Sequence, residues 1–270
     1  MNENKIRLEN VTLEYKNGYK KSWFPFVNGN GSNGKSHARV VLDDISLEIK
    51  RGEFVSILGH SGSGKSTLLK VIAGFTKPSQ GSVWIDGSEV KGPQPDHVFV
   101  FQDGALFPWL TVAENVALAL RSVKDVSERN KRVRSYLELV ALEGIENYYP
   151  HMLSGGMRQR AEIARALAAE PNILLMDEPF SGLDCLTRLN LREEMGNLHL
   201  MLPDTTILFV THDIDEALQL GTRLIVLSDP PARVKCCRTI DVPHPRSLAA
   251  SALSALRSQI YRELGVHTAI

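Results

Sequence analysis

A lysine and a hydroxyl set behind closely spaced glycines can grip a chain of phosphates, because glycine lets backbone N–H groups approach anionic oxygens. The spacing G-x-x-x-x-G-K-[ST] that does this occurs twice, at Gly29 to Ser36 and at Gly59 to Ser66. Local context separates the two. The second match follows the apolar run FVSIL and opens TLLKVIAGF, so a strand delivers the chain to the loop and a helix leaves it. The first lies among Asn, Gly and Ser with no strand before it, and reads as a chance match in a Gly/Asn-rich loop. In GHSGSGKST the residues Gly59, His60, Ser61, Gly62, Ser63, Gly64, Lys65, Ser66 and Thr67 would surround the phosphates. Lys65 would reach the terminal oxygens and the Ser66 hydroxyl would ligate Mg²⁺.

A second constellation lies at the end of Ile173 to Met176, where four apolar residues run into Asp177 and Glu178. An open α/β sheet presents its ligand groups at such strand ends. Asp177 is placed to hold Mg²⁺, directly or through water, and Glu178 to act as general base on an attacking water. A pair of acids capping a helix is the plainer alternative. The phosphate loop in the same chain favours catalysis.

These residues need elements to hold them, and the 270-residue chain, 43% hydrophobic, is long enough for a substantial core. Short apolar runs alternate with helical patterns, which predicts an α/β domain with a largely parallel sheet. The expected strands are Phe54 to Leu58, Val98 to Phe101, Ile173 to Met176, Ile207 to Thr211 and Leu224 to Leu227. Between the second and third lies a helical block, about 111–169, with Val126, Val133, Leu137 and Val140 at helical spacing. Its basic run Arg129, Lys131, Arg132, Arg134 reads as a solvated face. Lys16 to Arg39 has no acidic residue and the aromatics Tyr19, Trp23, Phe24 and Phe26, and reads as a flexible insertion, first as a disordered loop between two strands and alternatively as a contact with anionic lipid or a membrane subunit. From Ser228 the sequence SDPPARVKCCRTIDVPHPRS is expected to be broken by its prolines before a last helix around 248–264. This gives a domain over 1–228 and a C-terminal extension over 229–270.

Thirty-one Lys plus Arg balance thirty-one Asp plus Glu, so no global charge argues for nucleic acid as a partner. No apolar run approaches the length of a membrane span, and the N-terminus has no apolar leader. Cys185, Cys236 and Cys237 show neither metal spacing nor a disulfide framework. The expectation is a cytosolic or peripheral protein.

The octapeptide LSGGMRQR, Leu153 to Arg160, resembles the signature of ABC ATPases. Ser154, Gly155 and Gly156 would open a helix with a hydroxyl and free N–H groups, suited to a terminal phosphate. The resemblance continues in the expected order. Gln102 in VFVFQDG matches the glutamine that links metal and attacking water to the helical subdomain. Ser181-Gly182-Leu183-Asp184 matches the loop that signals between two sites, with Gly182 and Cys185 where members often carry alanine. His212 after ILFVT matches the histidine on the γ-phosphate, and Tyr15 the aromatic that stacks on adenine, with Tyr19 an alternative.

The implied fold is a P-loop NTPase with a RecA-like core, an antiparallel β subdomain and an inserted helical subdomain. The implied cofactors are ATP and Mg²⁺, with Glu178, His212 and Gln102 catalytic and Ser66, Gln102 and Asp177 around the metal. The signature implies a head-to-tail dimer, with a second copy or a homologous ATPase subunit closing each site through Ser154, Gly155, Gly156 and Asp184. FQDGALFPWLTVAENVALAL and FVTHDIDEALQLGTRLIVLSDPPARV resemble importers of nitrate, sulfonates, taurine or bicarbonate. That implies transmembrane permease subunits, a solute-binding protein reached through them, and a place on the cytoplasmic face of the inner membrane. A soluble ABC-type ATPase acting in DNA repair or cofactor assembly is the alternative. Such chains often carry duplicated cassettes or long coiled-coil insertions, which this sequence lacks.

Overall fold

A computed structural model describes residues 4–16, 38–102, 104–248 and 250–265. Tyr19, Trp23, Phe24 and Phe26 and the glycine-rich match at 29–36 lie outside them. In chain order the first elements are β1 (Asn4–Lys16), β2 (Ala38–Lys50), β3 (Phe54–Leu58), α1 (Lys65–Ile72), β4 (Gln80–Ile85), β5 (Ser88–Glu89) and β6 (His97–Val100). Then come α2 (Val112–Ala117), α3 (Val126–Leu139), α4 (Gly155–Ala168), β7 (Ile173–Asp177), α5 (Cys185–Met201), β8 (Thr206–Thr211) and α6 (Ile214–Leu220). The last are β9 (Arg223–Leu227), β10 (Val234–Thr239) and α7 (Ser251–Glu263).

Six strands form one sheet in the order β10-β9-β3-β8-β7-β6, parallel from β9 to β6. Both faces of its centre are covered, which is why β3, β7 and β8 read as unbroken apolar runs rather than alternating ones. Successive side chains serve opposite cores. Phe54, Leu174, Met176, Ile207 and Phe209 pack towards α4 and α5. Val55, Ile57, Leu175, Leu208 and Val210 pack towards α1 and the second sheet, the antiparallel β2-β1-β4-β5. The strand ends near Leu58, Asp177 and Thr211 therefore share one edge, since these three strands are adjacent and in register.

Between β6 and β7, helices α2, α3 and α4 pack on one another. Thr111 and Glu114 close a capping box on α2, and Asp125 caps α3. Val133 and Leu137 are buried as their spacing requires, but Val126 at the first turn of α3 is exposed. The apolar stripe starts at Val133, about two turns later than the sequence pattern indicated. Arg132 of the basic run pairs with Glu128 and Glu170 on the outer surface.

The segment after Ser228 differs from the expectation of proline-broken chain. Pro230, Pro231, Pro243 and Pro245 flank a regular strand, β10, which adds antiparallel to β9 at the sheet edge. An edge strand tolerates flanking prolines because one side needs no ladder partner. Beyond it α7 buries Leu253 and Ile260 in a third apolar cluster with α6 and β9.

Candidate functional site

The loop leaving β3 turns through two left-handed glycines, Gly62 (φ 78°) and Gly64 (φ 93°). A Cβ at Gly64 would press on Val41 and Leu42 of β2 at 3.3 and 3.2 Å. Gly64 is also the N-cap of α1, and it offers no side chain to the first turn. Helices α2 to α6 differ, each being capped by Thr111, Asp125, Ser154, Asp184 or Asp213. The free N–H groups and dipole of α1 are thus left for an anion.

Lys65 begins α1 with its side chain only 3% exposed. Its ammonium donates back to the carbonyls of Gly59 (2.9 Å) and His60 (3.0 Å) and lies 3.5 Å from Glu178 Oε1. Burial lowers its pKa, while Glu178 and then Asp177 oppose that shift. One residue on, the Ser66 hydroxyl donates to Asp177 Oδ1 at 2.7 Å. Burial raises the Asp177 pKa, offset in part by the Ser66 bond and by Lys70.

Glu178 takes a left-handed backbone (φ 45°), a conformation costing of order 1–3 kcal/mol for a non-glycine residue. Its N–H is held by the Val210 carbonyl of β8 at 3.0 Å. The carboxylate stands between two partners, Lys65 at Oε1 and His212 Nδ1 at Oε2, the latter 3.0 Å away. No helix starts here, as the next begins at Cys185, so these two acids are not a capping pair.

Lys65, Ser66 and Glu178 open onto a cleft of ≈ 530 Å³ that is also lined by Tyr15, Arg39, Val41, Gln102, Pro230 and Ser61, Gly62, Gly64 and Thr67 of the loop; Asp177 and His212 join it through their contacts with Ser66 and Glu178. Tyr15 is 46% exposed and sits opposite Arg39 in the β1–β2 register. His60 points to Asp229, Nδ1 to Oδ1 3.0 Å. Arg39, Val41 and Pro230 in the cleft, and Asp229 beside His60, were not foreseen, and nothing in their local sequence marks them, because separate elements bring them there.

Four expected residues lie elsewhere. Ser154 caps α4, accepting the Met157 N–H at 3.2 Å, and Gly156 faces Thr187 and Leu183, where a Cβ would meet Thr187 Cγ2 at 2.9 Å. Asp184 caps α5 through the Thr187 N–H at 3.1 Å. Gly155 is exposed beside them, and none of the four lines the cleft. Within one chain the geometry presents two separate surfaces.

A strand, an anion-ready loop, an uncapped helix and a lysine–carboxylate–histidine chain define a P-loop nucleoside triphosphatase. Residues 42–181 match the family described as ABC transporter. The chain is 43% identical over 223 residues to the aliphatic sulfonates import ATP-binding protein SsuB of Bacillus cereus, covering 83% of this chain and 88% of that one. It is 46% identical over 211 residues to the nitrate import ATP-binding protein NrtC of Synechococcus elongatus, covering 77% of this chain and 32% of that longer protein. The dimeric ATP-binding cassette MJ0796, in a post-hydrolysis state bound to ADP and Pi, superposes with a TM-score of 0.73 at 35% identity, covering 88% of this chain and all of that one. The chain belongs to the ABC transporter family, and it is an ATPase.

Proposed function

We propose that this chain is the ATP-hydrolysing subunit of a membrane importer for a small oxyanion, working as a head-to-tail pair on the cytoplasmic face. The observation that carries the reading is the Lys65–Glu178–His212 chain beside the Ser66–Asp177 pair at one edge of the cleft. Relatives named for aliphatic sulfonates, nitrate and bicarbonate support the solute class, since these anions all spread charge over oxygen.

The loop N–H groups and Lys65 bind the β- and γ-phosphates of ATP, and Tyr15 takes the adenine face. Binding exchanges the contacts of Lys65 with its own loop carbonyls for phosphate oxygens. Ser66 and Asp177 would hold Mg²⁺. Among the described residues no cluster of three or more His, Cys, Asp or Glu could hold a metal alone, so phosphate and water oxygens would have to complete its shell. When bound, the ion neutralises charge on the β- and γ-oxygens. Glu178 accepts a proton from the attacking water, oxygen joins the γ-phosphorus, and the bridging P–O bond breaks to leave ADP and phosphate. His212 orients Glu178 through the 3.0 Å contact and donates towards the γ-phosphate. Gln102, at the same cleft, senses the metal and water.

Ser154, Gly155, Gly156 and Asp184 of a second copy complete the site, which accounts for their lying off the cleft within one chain. A permease needs a surface too. Phe75, Phe99 and Phe101 form an aromatic cluster, ring centroids 4.4 to 6.1 Å apart, with Phe101 next to Gln102 in the chain, and Phe107 and Trp109 pair at 5.4 Å nearby. Trp109 is 70% exposed. Such an apolar patch suits an amphipathic segment of a membrane partner. No described helix is long and apolar enough to cross a membrane, consistent with a peripheral subunit docked on separate permeases.

Glu178→Gln is expected to bind ATP, accumulate as a closed pair and lose turnover, measured by ATP affinity, sizing chromatography and phosphate release. Normal phosphate release by that variant would remove Glu178 as the general base.

A further inference from the structure

His212 occupies a two-residue link between the end of β8 and the start of α6, and the backbone on either side of it is tied to a buried polar network. The Thr211 hydroxyl, buried at 2%, donates to Glu216 Oε2 at 2.6 Å and accepts the Asp213 N–H at 3.0 Å. Asp213 caps α6 through the N–H groups of Asp215 and Glu216 at 2.8 and 3.2 Å. From α5, Arg192 Nη2 donates to Asp213 Oδ2 at 3.0 Å and to Glu216 Oε1 at 3.2 Å, while Nη1 reaches Gln219 at 3.3 Å. Arg188 lies 3.8 Å from both Asp213 and Glu216, and its Nη2 donates to the Leu183 carbonyl at 3.1 Å. Leu183 belongs to the Ser181–Asp184 loop.

Two arginines thus balance two carboxylates in a site where Arg192 and Glu216 are 9% and 4% exposed. Burial of Arg192 and Glu216, with Arg188 and Asp213 partly buried beside them, costs desolvation that an apolar packing would avoid, and such a cluster is kept only where each charge has a partner. A planar guanidinium bonded to two carboxylates also fixes their relative position more tightly than apolar contact would. The groups fixed here are Thr211 and Asp213, the immediate neighbours of His212.

We infer that Arg192, Glu216 and Arg188 are positioning residues for His212, and that Arg188 ties the histidine to the Ser181–Asp184 loop. A shift of that loop against a second copy would move Arg188, and through Asp213 and Glu216 the imbalance would reach the turn carrying the imidazole. The inference rests on His212 taking part in hydrolysis. None of the three touches the cleft.

The test uses steady-state ATP hydrolysis by the full chain. Glu216→Gln and the charge-preserving Arg192→Lys are expected to lower kcat about tenfold, the scale of a misplaced catalytic group, with KM for ATP within about twofold. Combined with His212→Gln, either one is expected to leave turnover as slow as in His212→Gln alone, because groups acting through one residue are not additive. Arg188→Gln should follow the same relation. Unchanged kcat in Glu216→Gln and Arg192→Lys, or factors that multiply with His212→Gln, would overturn the positioning role. Multiplication for Arg188→Gln alone would overturn the link to the loop. Normal turnover of His212→Gln by itself would instead fail the reading of His212, a result separable from the other two.

Discussion

The lysine and the aspartate at the phosphate loop are both pushed towards their neutral forms by burial, and each shift is opposed in part by a neighbour: Lys65 by Glu178, Asp177 by the Ser66 hydroxyl. The pKa of His244, in the chain after β10 and beside Gly196 of α5, is lowered from 6.5 to about 4, chiefly by burial and then by Arg246 and His199, with a backbone hydrogen bond at Leu220 opposing the shift. A histidine with a lowered folded pKa leaves the unfolded chain binding the extra proton. Its contribution to stability is therefore present above the unfolded pKa of 6.5 and lost as pH falls from there towards about 4. His244→Asn is expected to flatten that part of the melting temperature against pH curve. Parallel curves for variant and parent would show that His244 does not titrate in this way.

At the scale of elements, helix ends decide what each helix can do. Five helices end in a side-chain cap and α1 does not, so only α1 among these directs its N–H groups into the cleft. The other end of α6 is closed from outside the sheet. Arg246 donates to the carbonyls of Leu218 and Gly221 at that end, and to Ile240 and Val242 beyond β10. One guanidinium thereby fastens the chain after β10 to the helix that follows His212. Arg246→Ala leaves those carbonyls without their donor. It is expected to cost roughly 2–3 kcal/mol, as for hydrogen bonds from a charged group, read as a lower denaturant midpoint at constant m-value. A midpoint equal to the parent's would show that water replaces the guanidinium there.

For the molecule as a whole, three surfaces follow from one sheet. The strand ends make the cleft, the N-termini of α4 and α5 carry the residues proposed to complete another copy's site, and the aromatic cluster near Gln102 is the proposed permease surface. Trp109 pairs with the Phe107 ring and remains 70% exposed, so it contributes little to packing among the described residues. Trp109→Ala is expected to keep ATP hydrolysis by the free chain within about twofold, since surface substitutions are mild. Uptake of labelled sulfonate, nitrate or bicarbonate by cells depending on this chain should drop. Undiminished uptake would take this patch out of the docking surface.

The central strands, the glycine loop and the Asp177–Glu178 end were legible because each is a short contiguous run whose composition has one good structural solution. Apolar runs of five residues can be satisfied only between two covered faces, and G-x-x-x-x-G-K-S followed by a helix pattern turns around an anion. Other features were invisible for the opposite reason. Val126 fits the helical spacing and is exposed, because the position of the packing partner, not the period, sets where a stripe begins. The prolines after Ser228 suggested a break, yet pairing with β9 supplies a strand whose edge needs no donors on one side. Sequence alone determined which groups are available, a lysine and a hydroxyl behind glycines and two acids at a strand end, on which the proposed phosphate binding, metal binding and general-base chemistry rest, since these depend on residue types at fixed local spacing. Tertiary structure decided which groups meet. Lys65, Glu178 and His212 come from three adjacent parallel strand ends, and Arg192 meets Asp213 and Glu216 only because α5 packs on α6. Such meetings depend on distances between elements remote in the chain, which no local pattern encodes.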